Sequence, residues 1–444
     1  MSNENTAAGV GSRRVPKACC EMISDKFDMQ SQVQLESAQL NSIDGFLRPI
    51  GGVSSGSPFS WELTPVSDSF LMMNGLTIYG VCKVVKADGS AIGAGEKVGL
   101  VNGFGLSLFD EISVFLNGFK ISQDSDTGMA YKNTLETLLS YENDAEKTHL
   151  KTTIYSLDDV DKLENFDPAQ NSAFKERSDR IRESKDFDFT VPLNTDMTRS
   201  DNHLAPGSTL LIKAKLNSDA FLIKSAEENP AYKLVIKDLK LYYRRVRLDP
   251  TISSKIIGKS HHYLTARTQL LHRSLPAGLS NYHTQLYTGL MPRTVICAMV
   301  SSKAYNGSYT DNPYNFKHYN LEGFNLRLSG TSVPSERFSP RWDDDLVMRE
   351  FTSLFQNIGM YRTDRSCSIT YERFKSGGFL LPLDLTPDQC NSSHIHISSP
   401  GILSAEFTFK KPLPEPITIL FYSVFNQRIT TNPDIKLQSS IEIL

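Results

Sequence analysis

The sequence predicts an all-β protein made of two consecutive eight-stranded jelly-roll sandwiches, a double jelly roll with short helices in its loops. From residue 59 onward, short runs rich in Val, Ile, Phe, Tyr and Thr alternate with Gly, Asn, Asp and Pro, as in proteins with many short strands. One order of elements also occurs twice along the chain. The length of 444 residues exceeds one typical domain and fits two of roughly 200 residues each.

The strands follow from the apolar runs, and about eight in each half, once long runs are divided, is the number that a jelly roll requires. In the first half they are predicted at 59–64, 69–85, 106–121, 187–193, 209–216 and 232–248. In the second half they are predicted at 263–271, 282–289, 293–301, 324–328, 368–383, 394–397, 403–409 and 416–426. The alternation in the run 232–248 slips at Asp238, which predicts a β-bulge there.

Two segments are predicted to be helical, one in each half. Residues 131–141 place three leucines on one face, and residues 346–358 repeat apolar residues at i, i+3, i+4 and i+7. Each is followed by an aromatic strand that ends in Pro-Leu: Phe189-Thr-Val-Pro-Leu193 and Phe379-Leu-Leu-Pro-Leu383. The repeated order indicates two diverged copies of one architecture. The alternative is a coincidence between two unrelated β domains.

The chain divides into three predicted parts. Residues 1–55 mix Gly, Ser, Asn and Asp and are predicted to be a flexible N-terminal arm. Residues 56–249 are predicted to form the first jelly roll and residues 250–444 the second, with Pro250 as a hinge. Within the first, residues 143–186 are dominated by Asp, Glu, Lys and Arg, which predicts an inserted surface loop.

The charge balance limits how the chain could contact nucleic acid. A formal net charge of −3 and a pI near 6.3 argue against a folded body that coats nucleic acid, because that needs a large excess of Lys and Arg. Any contact should therefore be local. The candidates are Arg13, Arg14 and Lys17, because a flexible basic arm reaches phosphates without a shaped site. A second basic run, residues 242–247, is interpreted as an edge strand guarded by charge.

No cofactor, metal site or catalytic residue is predicted. His394 and His396 alternate along a strand as in a cupin metal site, but no carboxylate follows four or five residues later. The acidic run 343–345 precedes the second helix, where carboxylates cap free N–H groups and complement the helix dipole. No nucleophile signature such as G-x-S-x-G occurs. The expectation is therefore a protein that is not an enzyme.

The cysteines and apolar runs bear on where the protein is made. The six cysteines are scattered and fit neither a disulfide framework nor a zinc site, so reduced and mostly buried thiols are predicted. No apolar run reaches the roughly 20 residues that cross a bilayer. The first ten residues lack the pattern of a secretory signal. Synthesis in the cytosol is the expectation.

The helix region carries a resemblance to a known family. The stretch Tyr131-Lys-Asn-Thr-Leu-Glu-Thr-Leu-Leu-Ser-Tyr141, with His149-Leu150 after it, resembles the helix region of the major capsid proteins of Maverick/Polinton-type elements and adintoviruses. Supporting motifs are Val114-Phe-Leu-Asn-Gly-Phe119, Pro206-Gly-Ser-Thr-Leu-Leu-Ile-Lys213 and Leu381-Pro-Leu-Asp-Leu-Thr-Pro387. The resemblance spans roughly residues 60–430. It departs from the family where Gly128-Met-Ala-Tyr131 replaces an aromatic-Pro-aromatic lead and where Glu142 replaces a Gly.

The resemblance implies a structural role in a virion. It implies a subunit that forms hexon-like homotrimers, which pack against neighbouring trimers in an icosahedral shell around double-stranded DNA. Penton or minor capsid proteins would be further partners, and the N-terminal arm could contact the packaged DNA. The alternative is a cellular two-domain β-sandwich protein, either a carbohydrate-binding protein or a cupin-like metalloprotein.

Overall fold

The computed structural model describes residues 38–64, 66–122, 128–387, 396–432 and 438–443. The basic cluster Arg13, Arg14 and Lys17 therefore lies outside the described residues, as does His394. The remaining chain is rich in antiparallel strands, with helices in the connections between them.

The strands and helices are numbered in chain order. The strands are β1 Gln39–Leu47, β2 Phe59–Leu63, β3 Phe70–Leu71, β4 Thr77–Lys86, β5 Val98–Leu100, β6 Phe109–Leu116, β7 Phe119–Lys120, β8 Phe187–Pro192, β9 Leu210–Leu216, β10 Ile223–Ser225, β11 Tyr232–Leu248, β12 His261–Leu275, β13 Asn281–Leu290, β14 Thr294–Ser301, β15 Leu321–Leu328, β16 Thr331–Phe338, β17 Leu380–Asp384, β18 Pro400–Phe409, β19 Ile417–Asn432 and β20 Gln438–Ile443. The α-helices are α1 Phe104–Ser107, α2 Met129–Ser140, α3 Asn143–Glu146, α4 Ser172–Asp179, α5 Asp219–Leu222, α6 Pro250–Ile256, α7 Ser302–Tyr305, α8 Met348–Asn357 and α9 Tyr371–Lys375. Short 3-10 helices occur at Met73–Gly75, His149–Thr153, Val160–Lys162, Arg182–Ser184 and Trp342–Asp344.

The sheets have the same topology in both halves of the chain. In the first half, one sheet has the order β1-β11-β4-β8 and the other has the order β2-β9-β6-β7. In the second half the orders are β12-β19-β14-β17 and β13-β18-β15-β16. When the strands are matched in the order given, β12 with β1, β19 with β11 and so on, each pair of neighbouring strands in the first half has an equivalent pair in the second. The chain is therefore a double jelly roll, and the predicted fold class and internal duplication are confirmed.

The equivalence of the two halves extends to single residues. In each half, one row of paired residues crosses the first sheet and ends on the proline of the Pro-Leu pair on the edge strand, where a missing N–H is tolerated. The rows are Phe46, Tyr242, Thr77 and Pro192 in the first half, and Leu270, Tyr422, Ile296 and Pro382 in the second. Tyr242 and Tyr422 thus hold the same place.

Each sandwich encloses aromatic side chains between its two sheets. In the first half, Trp61 is fully buried and meets Phe59 and Phe109 edge to face, with ring centroids 5.2 and 6.4 Å away. In the second, Phe407 packs between Phe324 and Phe421, at 4.9 and 6.0 Å. Burial of such large rings supplies much of the stabilisation of a β sandwich.

The predicted elements match the structure where the sequence pattern is regular. Helices α2 and α8 confirm the two predicted helices, and β11 coincides with the run 232–248, with the predicted irregularity at Asp238. Three of the predicted strands contain short helices that were not predicted. The 3-10 helix Met73–Gly75 interrupts the predicted strand 69–85, α1 overlaps the start of the predicted strand 106–121, and α9 occupies part of the predicted strand 368–383. These segments are short, so tertiary contacts override their strand-like composition.

Strand β1 corrects the predicted N-terminal arm. Residues 39–47 were assigned to the flexible arm 1–55, but the structure pairs them with β11 along Leu241–Leu248. Arg244 donates to both carboxylate oxygens of Asp44, at 2.6 and 3.0 Å. The run 242–247 is consequently an interior part of the sheet, and its interpretation as an edge strand was wrong. The pairing joins residues about 200 positions apart, so no local pattern could reveal it.

The charged insertion is also more structured than a surface loop. Between 143 and 186 it contains α3, α4 and three 3-10 helices, and it buries its own aromatic pair, Phe166 and Phe174. Arg177 is buried in a bidentate ion pair with Asp158, at 2.8 and 2.9 Å. Charges that pair inside the segment are compatible with a folded core, which composition alone does not reveal.

A short helix, not a single hinge residue, joins the two halves. Pro250 is the first residue of α6, where its missing N–H costs nothing. The Asp249 side chain accepts a hydrogen bond from the Thr251 N–H at 2.8 Å and caps the helix.

Candidate functional site: the junction of the two halves

Helix α2 of the first half lies on the outer face of a sheet in the second half. The Tyr422 hydroxyl, on β19, donates to Glu136 Oε1 at 2.5 Å. Gly128, just before the helix, sits so close to Leu270 of β12 that a Cβ there would be 2.5 Å from its Cδ2. Burial and the neighbouring Glu136 carboxylate raise the pKa of Tyr422 well above its usual value, so its hydroxyl stays a proton donor.

A buried ion pair ties the same helix to the edge of that sheet. Lys132 of α2 donates to Asp196 Oδ1 at 2.9 Å, and both side chains are 8% exposed. Asp196 also accepts from Thr268 of β12, from its hydroxyl at 2.6 Å and its backbone N–H at 3.1 Å. Each charge is therefore compensated, which is the condition for burying it.

An aromatic cluster fills the centre of the junction. Tyr131 of α2 stacks on Tyr305 of α7 with ring centroids 5.3 Å apart, and it meets Phe221 and Tyr314 edge to face. The Tyr314 hydroxyl lies 2.5 Å from the Ser107 hydroxyl of α1. Among the described residues the buried Tyr131 hydroxyl has no hydrogen-bond partner. The cluster is therefore held mainly by ring packing.

Lys224 places a basic group in the interior of the junction. Its ammonium donates to the backbone oxygens of Ala220 at 3.0 Å and Ser308 at 2.6 Å, and the residue is 1% exposed. Burial lowers its pKa from the usual value near 10.5 to about 7, partly offset by Glu164 and Asp311. Because Ser308 belongs to the second half, this group links the two halves.

The lowered pKa predicts that stability rises with pH. Between about pH 7 and pH 10 the unfolded chain keeps a proton on Lys224 that the folded chain has released, so the free energy of unfolding should increase by up to about 1.4 kcal/mol per pH unit. Urea unfolding of the wild type and of Lys224→Met at pH 7.5, 8.5 and 9.5 checks this. As pH rises, the free energy of unfolding of the wild type should increase relative to that of Lys224→Met. Parallel pH profiles would contradict it.

The charged insertion binds the second half on the other side of the junction. Glu164 accepts hydrogen bonds from the Asn315 side chain at 2.6 Å and from the Asn312 N–H at 2.9 Å. Arg373 of α9 donates to the backbone oxygen of Asp158. Burial raises the pKa of Glu164. The insertion therefore helps to hold the two halves together, a role that its composition did not suggest.

The structure leaves two aromatic or apolar surfaces open. On the outer face of the first sheet, Phe46 and Tyr242 are 52% and 41% exposed, with ring centroids 5.9 Å apart. Tyr79 of β4 lies beside them, 6.4 Å from Tyr242. In the second half of the chain, Met348 of α8 is 58% exposed and Leu346, just before α8, is 51% exposed. Exposed apolar side chains in groups mark contact surfaces more often than single ones do.

Both surfaces were missed from the sequence, because β1 was assigned to an arm and residues 346–358 were predicted as a helix without saying what its apolar residues contact. The Tyr-Tyr pair at 242–243 in an alternating strand was a usable signal. One ring of such a pair must point away from the core.

The acidic run 343–345 does not cap the second helix, and that interpretation was wrong. The N-cap of α8 is Val347, without a side-chain cap, and α8 begins at Met348. Asp343 instead pairs with Lys410 at 2.8 Å, which lowers the pKa of that carboxyl. Asp345 accepts from the Tyr371 hydroxyl at 2.8 Å and pairs with Lys375 at 3.3 Å. These carboxylates, in and just after the 3-10 helix Trp342–Asp344, are thus paired with lysines.

His262, His396 and three of the cysteines lie in ordinary structural surroundings. His262 contacts the Thr430 hydroxyl across β12 and β19 at 3.0 Å, and the Asn426 amide donates to the backbone oxygen of His396. Cys82, Cys297 and Cys367 are buried free thiols, whereas the other three cysteines are not described. Within the described ranges, no group of three or more His, Cys, Asp or Glu side chains is placed to hold a metal ion.

None of the helices in the described part of the chain combines the length and the apolar content that crossing a bilayer requires.

The chain resembles one curated protein in sequence and many solved structures in fold. No family model matches it. It is 21% identical over 337 residues to an uncharacterized protein of Caenorhabditis elegans, covering 74% of this chain and 78% of that protein.

Three solved structures match over almost the whole chain. A chain of the Sputnik virophage structure has a TM-score of 0.66 at 10% identity and covers 97% of this chain and 94% of its own length. VP54 of PBCV-1 has a TM-score of 0.59 at 12% identity, covering 93% and 98%. The major capsid protein of mavirus has a TM-score of 0.54 at 9% identity, covering 99% and 97%. The chain shares with them the double jelly-roll fold of viral major capsid proteins.

Proposed function

We propose that this protein is the major capsid protein of a virion, a structural subunit without enzymatic activity. The observation that carries the proposal is the duplication: two sandwiches of identical topology, joined through an extensive buried junction, make one chain present two similar lobes. The likeness to viral major capsid proteins over nearly the full length supports the same role.

The proposed assembly follows from the two lobes. Three chains around a threefold axis would present six similar lobes, a pseudo-hexagonal tile that can pave an icosahedral shell by repeating similar edges. Burial of lobe-to-lobe surfaces would drive both trimerisation and packing between trimers. Penton or minor capsid proteins would complete such a shell.

Further parts of the proposal concern origin and contents. The motifs around α2 support a capsid protein of the Maverick/Polinton and adintovirus type, and the nematode relative fits an element carried by animals. We also propose two units, one made of residues 56–249 together with strand β1 and the other of residues 250–444. Arg13, Arg14 and Lys17 are proposed to contact packaged double-stranded DNA.

The test is the oligomeric state and outline of the purified full-length chain. Light scattering should give three times the chain mass of 49.6 kDa, and negative-stain images should show hexagonal outlines. A stable monomer that binds glycans would instead support the carbohydrate-binding alternative. A monomer with stoichiometric bound metal would support the cupin-like one.

A further inference from the structure

The burial of equivalent elements differs sharply between the two halves. Helix α2 stands between β7 and β8, and α8 stands at the same place in the second half, between β16 and β17. Each contacts the residue two positions after the matched proline: Asn194 donates to Asn133 and Glu136, and the Asp384 N–H donates to Asn357. Yet ten of the twelve residues of α2 are buried, against three of the ten residues of α8.

The two sheets that are equivalent in the two halves also differ in burial, and here the second half is the more buried one. In the second half, β14 is buried from Val295 to Ser301 on both faces, and α2 contacts the outer face of the neighbouring strand β19 through Tyr422. In the first half, the equivalent strand β4 alternates between buried and half-buried residues from Thr77 to Lys83. Tyr422 is 4% exposed under α2, whereas Tyr242, at the same place in the row, is 41% exposed.

One chain therefore contains one helix-to-sheet contact that is formed, and the helix and the sheet face of a second, equivalent contact that is not formed within the chain. The formed contact joins α2 of the first half to the β12–β19 face of the second. The unpaired parts are α8 of the second half and the β1–β11 face of the first. A surface that pairs with a different surface on the next copy is heterologous, and such contacts close into a ring when the rotation permits.

We propose that α8 of one subunit packs on the β1–β11 face of the next subunit, around Phe46 and Tyr242, in the way that α2 packs on β12–β19 within the chain. This inference rests on the proposed trimer and names its interface. The occupant of each open surface is a second copy of this chain. Six equivalent helix-to-sheet contacts, three within chains and three between them, would then complete the ring.

The decisive experiment is site-directed crosslinking of the full chain. Tyr242→Cys and Gln356→Cys are combined in a background where Cys19, Cys20 and Cys390 are Ser; burial raises the pKa of the remaining thiols Cys82, Cys297 and Cys367, which keeps them unreactive. With a short bismaleimide, the double variant should give covalent dimers and trimers on a denaturing gel. Each single variant should stay monomeric there.

A matched control places the second cysteine on another exposed helix. Tyr242→Cys with Asp144→Cys, on α3, should give no ladder of products. Crosslinking of Tyr242→Cys alone would mean that like faces meet in an isologous contact, which overturns the proposal. The absence of crosslinks in a wild-type-like trimer would overturn it as well, while leaving the proposed function intact. A wild-type monomer would contradict the proposed function itself.

A second measurement does not depend on cysteine chemistry. Tyr242→Lys places a charge in the proposed interface and should weaken trimer formation at least tenfold in a dilution series followed by mass photometry. Ile402→Lys, at an exposed position on β18, is the matched control and should form trimers as the wild type does. Circular dichroism verifies that both variants are folded. A folded Tyr242→Lys protein with unchanged trimer formation would overturn the proposal.

Discussion

Replacement of Arg177 by Met should lower the free energy of unfolding by about 3–5 kcal/mol, the largest effect that we expect from any single charged residue. The Arg177 guanidinium is buried, pairs with both oxygens of Asp158, and donates to the backbone oxygens of Leu100 and Ser156. Its loss leaves the buried Asp158 carboxylate without its ion-pair partner. Urea unfolding monitored by fluorescence and circular dichroism measures the change.

Two further variants separate the charge from the packing. Adding Asp158→Leu to Arg177→Met removes the stranded carboxylate and should recover part of the lost stability. Lys162→Ala breaks the exposed pair with Asp159, 3.0 Å apart, and should leave the unfolding curve unchanged. If Arg177→Met unfolds at the same urea concentration as the wild type, the insertion does not depend on this ion pair.

Truncation of Tyr131 to Ala should destabilise the junction by about 3–5 kcal/mol, as for other buried aromatic residues. The ring stacks on Tyr305 and meets Phe221 and Tyr314, so its loss opens a cavity between the halves. Thermal and urea unfolding measure the loss, and limited proteolysis should show faster cleavage between the halves.

Tyr131→Phe is the control that isolates the ring from its hydroxyl. The buried hydroxyl lacks a hydrogen-bond partner among the described residues, so removing it should be neutral or stabilise by up to about 1 kcal/mol. A marked loss of stability in Tyr131→Phe would show that the hydroxyl is hydrogen-bonded and that ring packing is not the main interaction there.

Regular local patterns predicted the parts of the fold that depend on local residues. The run 232–248 alternates apolar and polar residues and slips at Asp238, and the structure has β11 with its irregularity there. The leucines of 131–141 repeat at helical spacing, and α2 is a helix. The two Pro-Leu pairs occupy the same place in their sheets. Such patterns are visible in the sequence because a strand or helix that packs on the core places its apolar residues on one face, at regular spacing along the chain.

Patterns that depend on distant partners were misinterpreted. Strand β1 mixes polar and apolar residues and is exposed along most of its length, so its composition did not distinguish it from an arm, and only pairing with β11 makes it a strand. The insertion has a charged composition, and the Arg177–Asp158 pair explains how buried charges are compatible with its aromatic interior. In both cases the stabilising partner is supplied by the fold.

The sequence by itself determined the number of sandwiches, their duplication and the place of the two main helices, because periodicity and order are written along the chain. The tertiary structure alone decided which of two equivalent surfaces is covered. A helical repeat specifies an apolar face but not what lies against it, so α2 and α8 look alike in sequence pattern and differ in burial. Burial is a property of pairs of surfaces, and only the folded chain brings α2 onto Tyr422 while leaving Tyr242 open.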